Sequence, residues 1–143
     1  MTTSQGLSAD ERAAVKQRAK ELREQEKAGK NRAAGEKSVR EAIEPLTGSD
    51  RDIAEGMYRV VSDVAPALVP KTYYGMPGFA NAAGKMVVFV QPAAKFGTRY
   101  ATVGFDPAAH LDDGDFWTTA FAVLAWTPEF EERFTALVRR AAS

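Results

Sequence analysis

The sequence predicts an α+β fold of two layers, an antiparallel four-stranded sheet with one helix before it and one after it packed on the same face. Three observations carry this. Ile53, Met57, Val60, Val61, Val64 and Leu68 recur at helical spacing after candidate N-caps at Thr47, Ser49 and Asp50. A second helical stripe, Phe130, Phe134, Leu137, Val138 and Ala141, lies in the last part of the chain. Between the two stripes stand only short runs of β-branched and aromatic residues bounded by Gly, Pro or Asp. The 143 residues suit one such domain, expected over 45–143, preceded by a charged helical arm over 1–44.

The arm is crowded with Lys, Arg, Glu and Ala, and its larger aliphatic side chains are Val15, Leu22, Val39 and Ile43. Ser8 and Glu11 have the spacing of a capping box. High helix propensity follows, with interruptions expected at Gly29 and Gly35 and an end at Pro45. So thin a stripe buries little, and an isolated helix of this kind is marginal in water. The arm therefore reads as a solvated extension or as a surface for a partner.

The first domain helix ends at Pro66 and Pro70. The last begins at Thr127 and Pro128, a cap followed by the residue whose missing N–H costs nothing there. Glu129, Glu131 and Glu132 occupy its first turn and Arg139 and Arg140 its last, each sign where the helix dipole favours it.

Strands are expected over 72–80, 85–91, 98–105 and 120–126. Asn81 to Gly84 is a compact turn that pairs the first two. Pro77 has no N–H for a ladder, which predicts a sheet edge or a bulge there. In the second strand Val87 and Phe89 are assigned to the helix layer and Met86, Val88 and Val90 to the opposite face. That open face would then be apolar and would need a cover: the arm, a second copy in a homodimer, or a ligand.

Composition excludes several chemistries. The chain has no cysteine, so thiol catalysis, disulfides and thiolate metal sites are ruled out, in keeping with a reducing cytoplasm. Nineteen basic and nineteen acidic side chains balance, which gives no electrostatic case for nucleic acid. No segment approaches the roughly 18 apolar residues of a membrane span, and the first residues carry no targeting signal, so a soluble cytoplasmic protein is expected. With one histidine, no nucleophile elbow and no phosphate loop, nothing selects a catalytic set. The residues point to a binding protein rather than to an enzyme.

Two candidate sites emerge. In "KTYYGMPGFA" (71–80) at least one aromatic must face away from the helices, and Tyr74 and Met76 with Lys95, Arg99 and Trp117 would line a shallow ligand pocket of aromatic walls and a few polar groups. In "AAHLDDGDFW" the only histidine, His110, stands near Asp112, Asp113 and Asp115, a donor set for iron or another divalent cation. The competing reading of that segment is a turn leading into a short helix over "FWTTA".

The stretches "YYGMPGF", "GKMVVFVQPAAKFGTRYATVGF" and "DDGDFWTTAF" resemble the YdhG-like family of unknown function. The resemblance covers residues 50–142 and leaves the arm outside. It implies a frataxin-like α-β-α sandwich and, as proposed for some relatives, a role in intracellular iron handling. It carries over no catalytic residues.

Overall fold

A computed structural model describes residues 8–143. Residues 1–7, part of the stretch read for a targeting signal, lie outside them. By compactness the chain forms two units, one ending at Ala34 and one covering Gly35–Ser143. No helix among the described residues is long and apolar enough to cross a membrane.

The first unit is helical. Helix α1 (Ala9–Ile43) starts at the capping box, where the Glu11 N–H donates to Ser8 Oγ at 3.1 Å and the Ser8 N–H donates to the Glu11 carboxylate at 3.2 Å. The interruptions expected at Gly29 and Gly35 do not form. A glycine in a helix costs only about 1 kcal/mol against alanine, and the strong helix formers around both positions outweigh it. Val15 and Leu22 are exposed.

The segment from Gly35 to Ile43, read from sequence as the end of the arm, packs within the second unit. Val39 and Ile43 are buried with Ala54, and Arg40 donates to Glu55 at 2.8 Å while its guanidinium lies 4.2 Å from the centre of the Tyr58 ring. Gly35 is required at its position, because a Cβ there would fall 1.9 Å from the Pro70 carbonyl oxygen.

The second unit holds a sheet of five strands rather than four. β1 (Val69–Tyr73), β2 (Met76–Ala80), β3 (Met86–Gln91), β4 (Ala101–Phe105) and β5 (Ala120–Val123) lie side by side in chain order, every pair antiparallel. The single strand expected over 72–80 is split by a two-residue turn. Tyr74 and Gly75 both have positive φ, 51° and 78°, the backbone of a type I′ hairpin whose twist matches its strands. The Asn81 turn forms as expected, with Asn81 Oδ1 accepting from the N–H groups of Ala83 and Lys85 at 3.0 Å each.

Pro77 is not on an edge: β2 lies between β1 and β3. The register shows how an interior strand accommodates it. Tyr73 and Met76 flank the turn as a hydrogen-bonded pair, so the next pair, Thr72 with Pro77, exchanges no hydrogen bonds. On the other side the β2–β3 pairing begins at Gly78 with Phe89, leaving Pro77 without a β3 partner. No N–H is missed.

Helices α2 (Gly48–Val64) and α4 (Pro128–Ala142) build the other layer. Thr127 caps α4, its hydroxyl accepting from the Phe130 N–H at 3.1 Å. Between β3 and β4 a short helix, α3 (Ala93–Phe96), is held to α2 by Asp50, whose carboxylate accepts from the Ala93 and Ala94 N–H groups at 2.8 and 3.0 Å. Trp126 lies directly on Gly56 of α2, where a Cβ would come within 2.4 Å of the indole. The common core gathers Ile53, Met57 and Val61 of α2, Phe134 and Val138 of α4, and Phe79, Val88, Val90 and Val103 of the sheet.

The polarity of Val88, Phe89 and Val90 is therefore the reverse of the sequence expectation, while Met86 on the open face and Val87 in the helix layer lie as expected. Val88 and Val90 face the helices, fully buried, and Phe89 with Met86 faces the open side. The register slips between Phe79 and Ala80, so that Val87 is an extra residue and joins the helix-side core beside Val88. On β4 and β5 the open face carries Thr102, Gly104, Ala120 and Ala122, which pair in register and are small. The apolar pressure that argued for a covering homodimer is correspondingly reduced.

Arg59 of α2 and the indole N–H of Trp126 both donate to Glu131 of α4, the latter at 2.8 Å. The bond from Arg59 first, and that from Trp126 second, hold the Glu131 carboxyl below its ordinary range. A lowered carboxylate contributes stability above its unfolded value and loses it as pH falls through the folded one. Glu131→Gln should thus lower the melting temperature near pH 7, with the difference from the native chain closing as pH drops below about 4, where glutamate normally titrates. Two truncations test the boundary. A chain beginning at Ala33 should keep the stability of the second unit. One beginning at Pro45 loses Val39 and Ile43, each worth about 1.5–3 kcal/mol of burial, and denaturant titration should show a correspondingly earlier midpoint.

Candidate functional site

The open face of the sheet concentrates the features a ligand needs. One cross-strand row runs Lys71, Gly78, Phe89, Gly104 and Ala120. Phe89 lies over Gly104, where a Cβ would stand 2.6 Å from its Cζ atom. At Gly78 a Cβ would stand 2.9 Å from Met86 Sδ. The two glycines thus make a floor on which Phe89 and Met86 rest. Tyr73 follows with its ring 5.4 Å from Phe89, and Tyr74 continues the line 4.7 Å from Tyr73.

Polar groups converge beside this aromatic line. The Asp106 carboxylate stands beside the Tyr73 hydroxyl, and its influence, more than burial, raises the phenol above its ordinary range. Lys71 Nζ donates to the Gly84 carbonyl at 2.9 Å. Two clefts meet at Asp106 and Pro107. One, of about 320 Å³, is lined by Lys71, Tyr73, Lys85 and Met86. The other, of about 440 Å³, lies between β4 and the following loop and is lined by Leu111, Asp112, Trp117 and Thr119.

The ligand residues expected from sequence are dispersed. Tyr74 is 83% exposed at the hairpin tip, and Met76, paired with Tyr73 across the turn, is buried. Lys95 reaches the same turn, donating to the Gly75 carbonyl at 3.3 Å, so it tethers the hairpin. Arg99 lines a separate depression with Thr47, Ser49 and Tyr100, its guanidinium 5.4 Å from the Tyr100 ring centre. Trp117 alone stands in the clefts described above.

The metal donors are not gathered either. Among the described residues no group of three or more His, Asp or Glu side chains is placed to hold a metal ion. His110 Nδ1 is paired with the Ser143 carbonyl at 2.9 Å, and the His110 N–H donates to the Ala141 carbonyl at 3.2 Å, so the histidine fastens the loop to the end of α4. Asp112 turns to the cleft. Asp113 and Asp115 flank Gly114, whose φ of 68° makes the turn, and no helix forms over "FWTTA".

Sequence reasoning missed Phe89 and Asp106 and named Tyr74 rather than Tyr73, while Met86 lies on the open face where it was expected. One signal was available for Phe89: an isolated glycine inside a strand run marks a close approach by another group, and Gly104 is such a glycine. Compared with known proteins, the chain matches no family model, no curated protein and no solved structure.

If Phe89 and Gly104 are complementary, Gly104→Ala should cost about 1–3 kcal/mol through overpacking. In a Phe89→Leu background the same change should cost markedly less. Chemical denaturation of the four proteins of this cycle measures the coupling.

Proposed function

We propose that this chain is a small-ligand binding protein whose site is the pair of clefts that meet at Asp106, one on the open face of the sheet and one between β4 and the following loop. The observation that carries the reading is Phe89 and Met86 resting over Gly104 and Gly78, continued by the rings of Tyr73 and Tyr74 beside Asp106. A flat apolar surface with a few convergent polar groups suits an organic molecule. Of the two ligand classes read from the sequence, iron or another divalent cation is the less favoured, because His110 and its neighbouring aspartates do not converge.

The order of helix, antiparallel sheet and helix supports a frataxin-like reading of the fold, and with it the resemblance to the YdhG-like family carried by "YYGMPGF". The absence of cysteine supports a cytoplasmic location. A second reading, a homodimer, is favoured by Phe116 and Tyr74, which are 87% and 83% exposed.

Protein-observed NMR with a mixed set of small aromatic compounds tests the proposal. Saturable shifts are expected at Tyr73, Met86, Phe89 and Trp117, and Tyr73→Ala should weaken binding at least tenfold. Shifts confined to the Trp126 groove, or absent with every compound, would remove the site. Light scattering across a concentration series decides the homodimer.

A further inference from the structure

The two edges of the sheet are built differently. On β1 the bonded pair of Tyr73 and Met76 sets the alternation, so Pro70 and Thr72 turn their backbone groups outward. Pro70 has no N–H to offer there, and Gly35 of α1 stands directly against its carbonyl oxygen. Lys71 places a charge on the same strand. Proline, charge and a covering segment are the devices that keep an edge from pairing with another chain.

β5 has none of them. The Phe105 N–H donates to the Thr119 carbonyl at 2.7 Å, so bonding pairs recur at Val103 with Phe121 and at Ala101 with Val123. Ala120 and Ala122 therefore direct both N–H and C=O away from β4, on a side where the sheet has no further strand, and both residues are exposed. From Phe116 to Trp126 the chain carries neither a charge nor a proline. Such an edge is a template for an added strand.

The flanking residues select the strand that fits. Phe116 and Leu124 are 87% and 66% exposed and stand at equal distances in sequence before and after Ala120. All three share one parity, which places them on one face of an extended chain. A two-fold axis at Ala120 lays β5 antiparallel on its own copy and sets each Leu124 against the partner's Phe116. The charges match in the same arrangement. Asp113 and Asp115 precede the strand, and Arg99 lies at its far end, lining one depression with Leu124. Arg99 rests near the Tyr100 ring and is in no ion pair among the described residues. The axis brings the acidic end of one copy to the Arg99 end of the other. Pairing of β5 with β1 would instead meet Pro70 and grow without closing, whereas pairing with itself closes at two copies.

We propose that β5 is the contact of a symmetric dimer, antiparallel about Ala120, which joins two five-stranded sheets into one continuous sheet. The proposal rests on the homodimer reading above and specifies its surface; it is independent of the ligand clefts.

The test exploits the absence of cysteine. Facing Cα atoms of a bonded antiparallel pair are about 5.5 Å apart, within reach of a disulfide. Ala120→Cys in the full chain should give a covalent dimer under mild oxidation, while Thr118→Cys and Ala122→Cys, each displaced along the strand from its own counterpart, should not. Light scattering across a concentration series should show a dimer of the native chain, weakened at least tenfold by Arg99→Asp and recovered when Asp115→Arg is added. Ala122→Pro, which removes only an outward N–H, should give a folded monomer by light scattering and circular dichroism. Dimerisation unchanged in Arg99→Asp and in folded Ala122→Pro overturns the edge and leaves the homodimer reading standing. Cross-linking through Ala122→Cys in place of Ala120→Cys overturns the axis. A native chain that is monomeric at every concentration overturns the edge and the homodimer together, without bearing on the ligand clefts.

Discussion

Phe89 can lie flat on the open side of the sheet only because Gly104 stands directly across from it, and that one placement decides which side of each neighbouring strand meets the helices. With Phe89 turned out, period-two alternation sends Val88 and Val90 inward against α2 and α4. The register then carries the same choice to Phe105, Val103 and Phe121 on the next strands. A phenyl ring on the helix side would have to share space with Val103 and the aromatic group of Phe105, Phe130 and Phe134. Glycine on the outer side removes that conflict and leaves a shallow aromatic surface as its by-product.

Close approaches of the same kind recur where elements meet. Gly56 lets Trp126 sit on α2, and Gly35 lets the end of α1 reach the Pro70 carbonyl. Trp126 then bridges layers, stacking edge-on against Phe130 and Phe134 and donating to Glu131. Its polar edge is satisfied and its rings are packed, which is how a tryptophan at a helix boundary contributes without leaving an unpaired N–H. Side chains so engaged have no spare donor for a ligand. The groups that do are on the other face of the sheet, around Asp106.

That face gains its chemistry from chain order. A meander brings the loop after β4 beside the β1–β2 hairpin, so that Tyr73 and Asp106 line one cleft although distant in sequence. The lysines come from β1 and the start of β3, the aspartates from the loop after β4. Lys71, Lys85 and Asp106 thereby border one cleft beside Tyr73.

The sequence by itself determined what depends on neighbouring residues. The capping box at Ser8 and Glu11, the Thr127-Pro128 start of α4, the Asn81 turn and the period of α2 were all legible, because each is decided by hydrogen bonds or apolar spacing within a few positions. The α+β class and the antiparallel arrangement followed from the order of those elements. Only the tertiary structure decided that Tyr74-Gly75 makes a fifth strand, that β2 is interior despite Pro77, and that Val88 rather than Phe89 meets the helices. It also separated Tyr74, Lys95 and Arg99 from Trp117, and His110 from the aspartates. A strand's two faces were nearly equal in apolar content, so local sequence could not choose between them. The choice lay with a glycine on the adjoining strand and a bulge at Val87, contacts that exist only once the chain has folded.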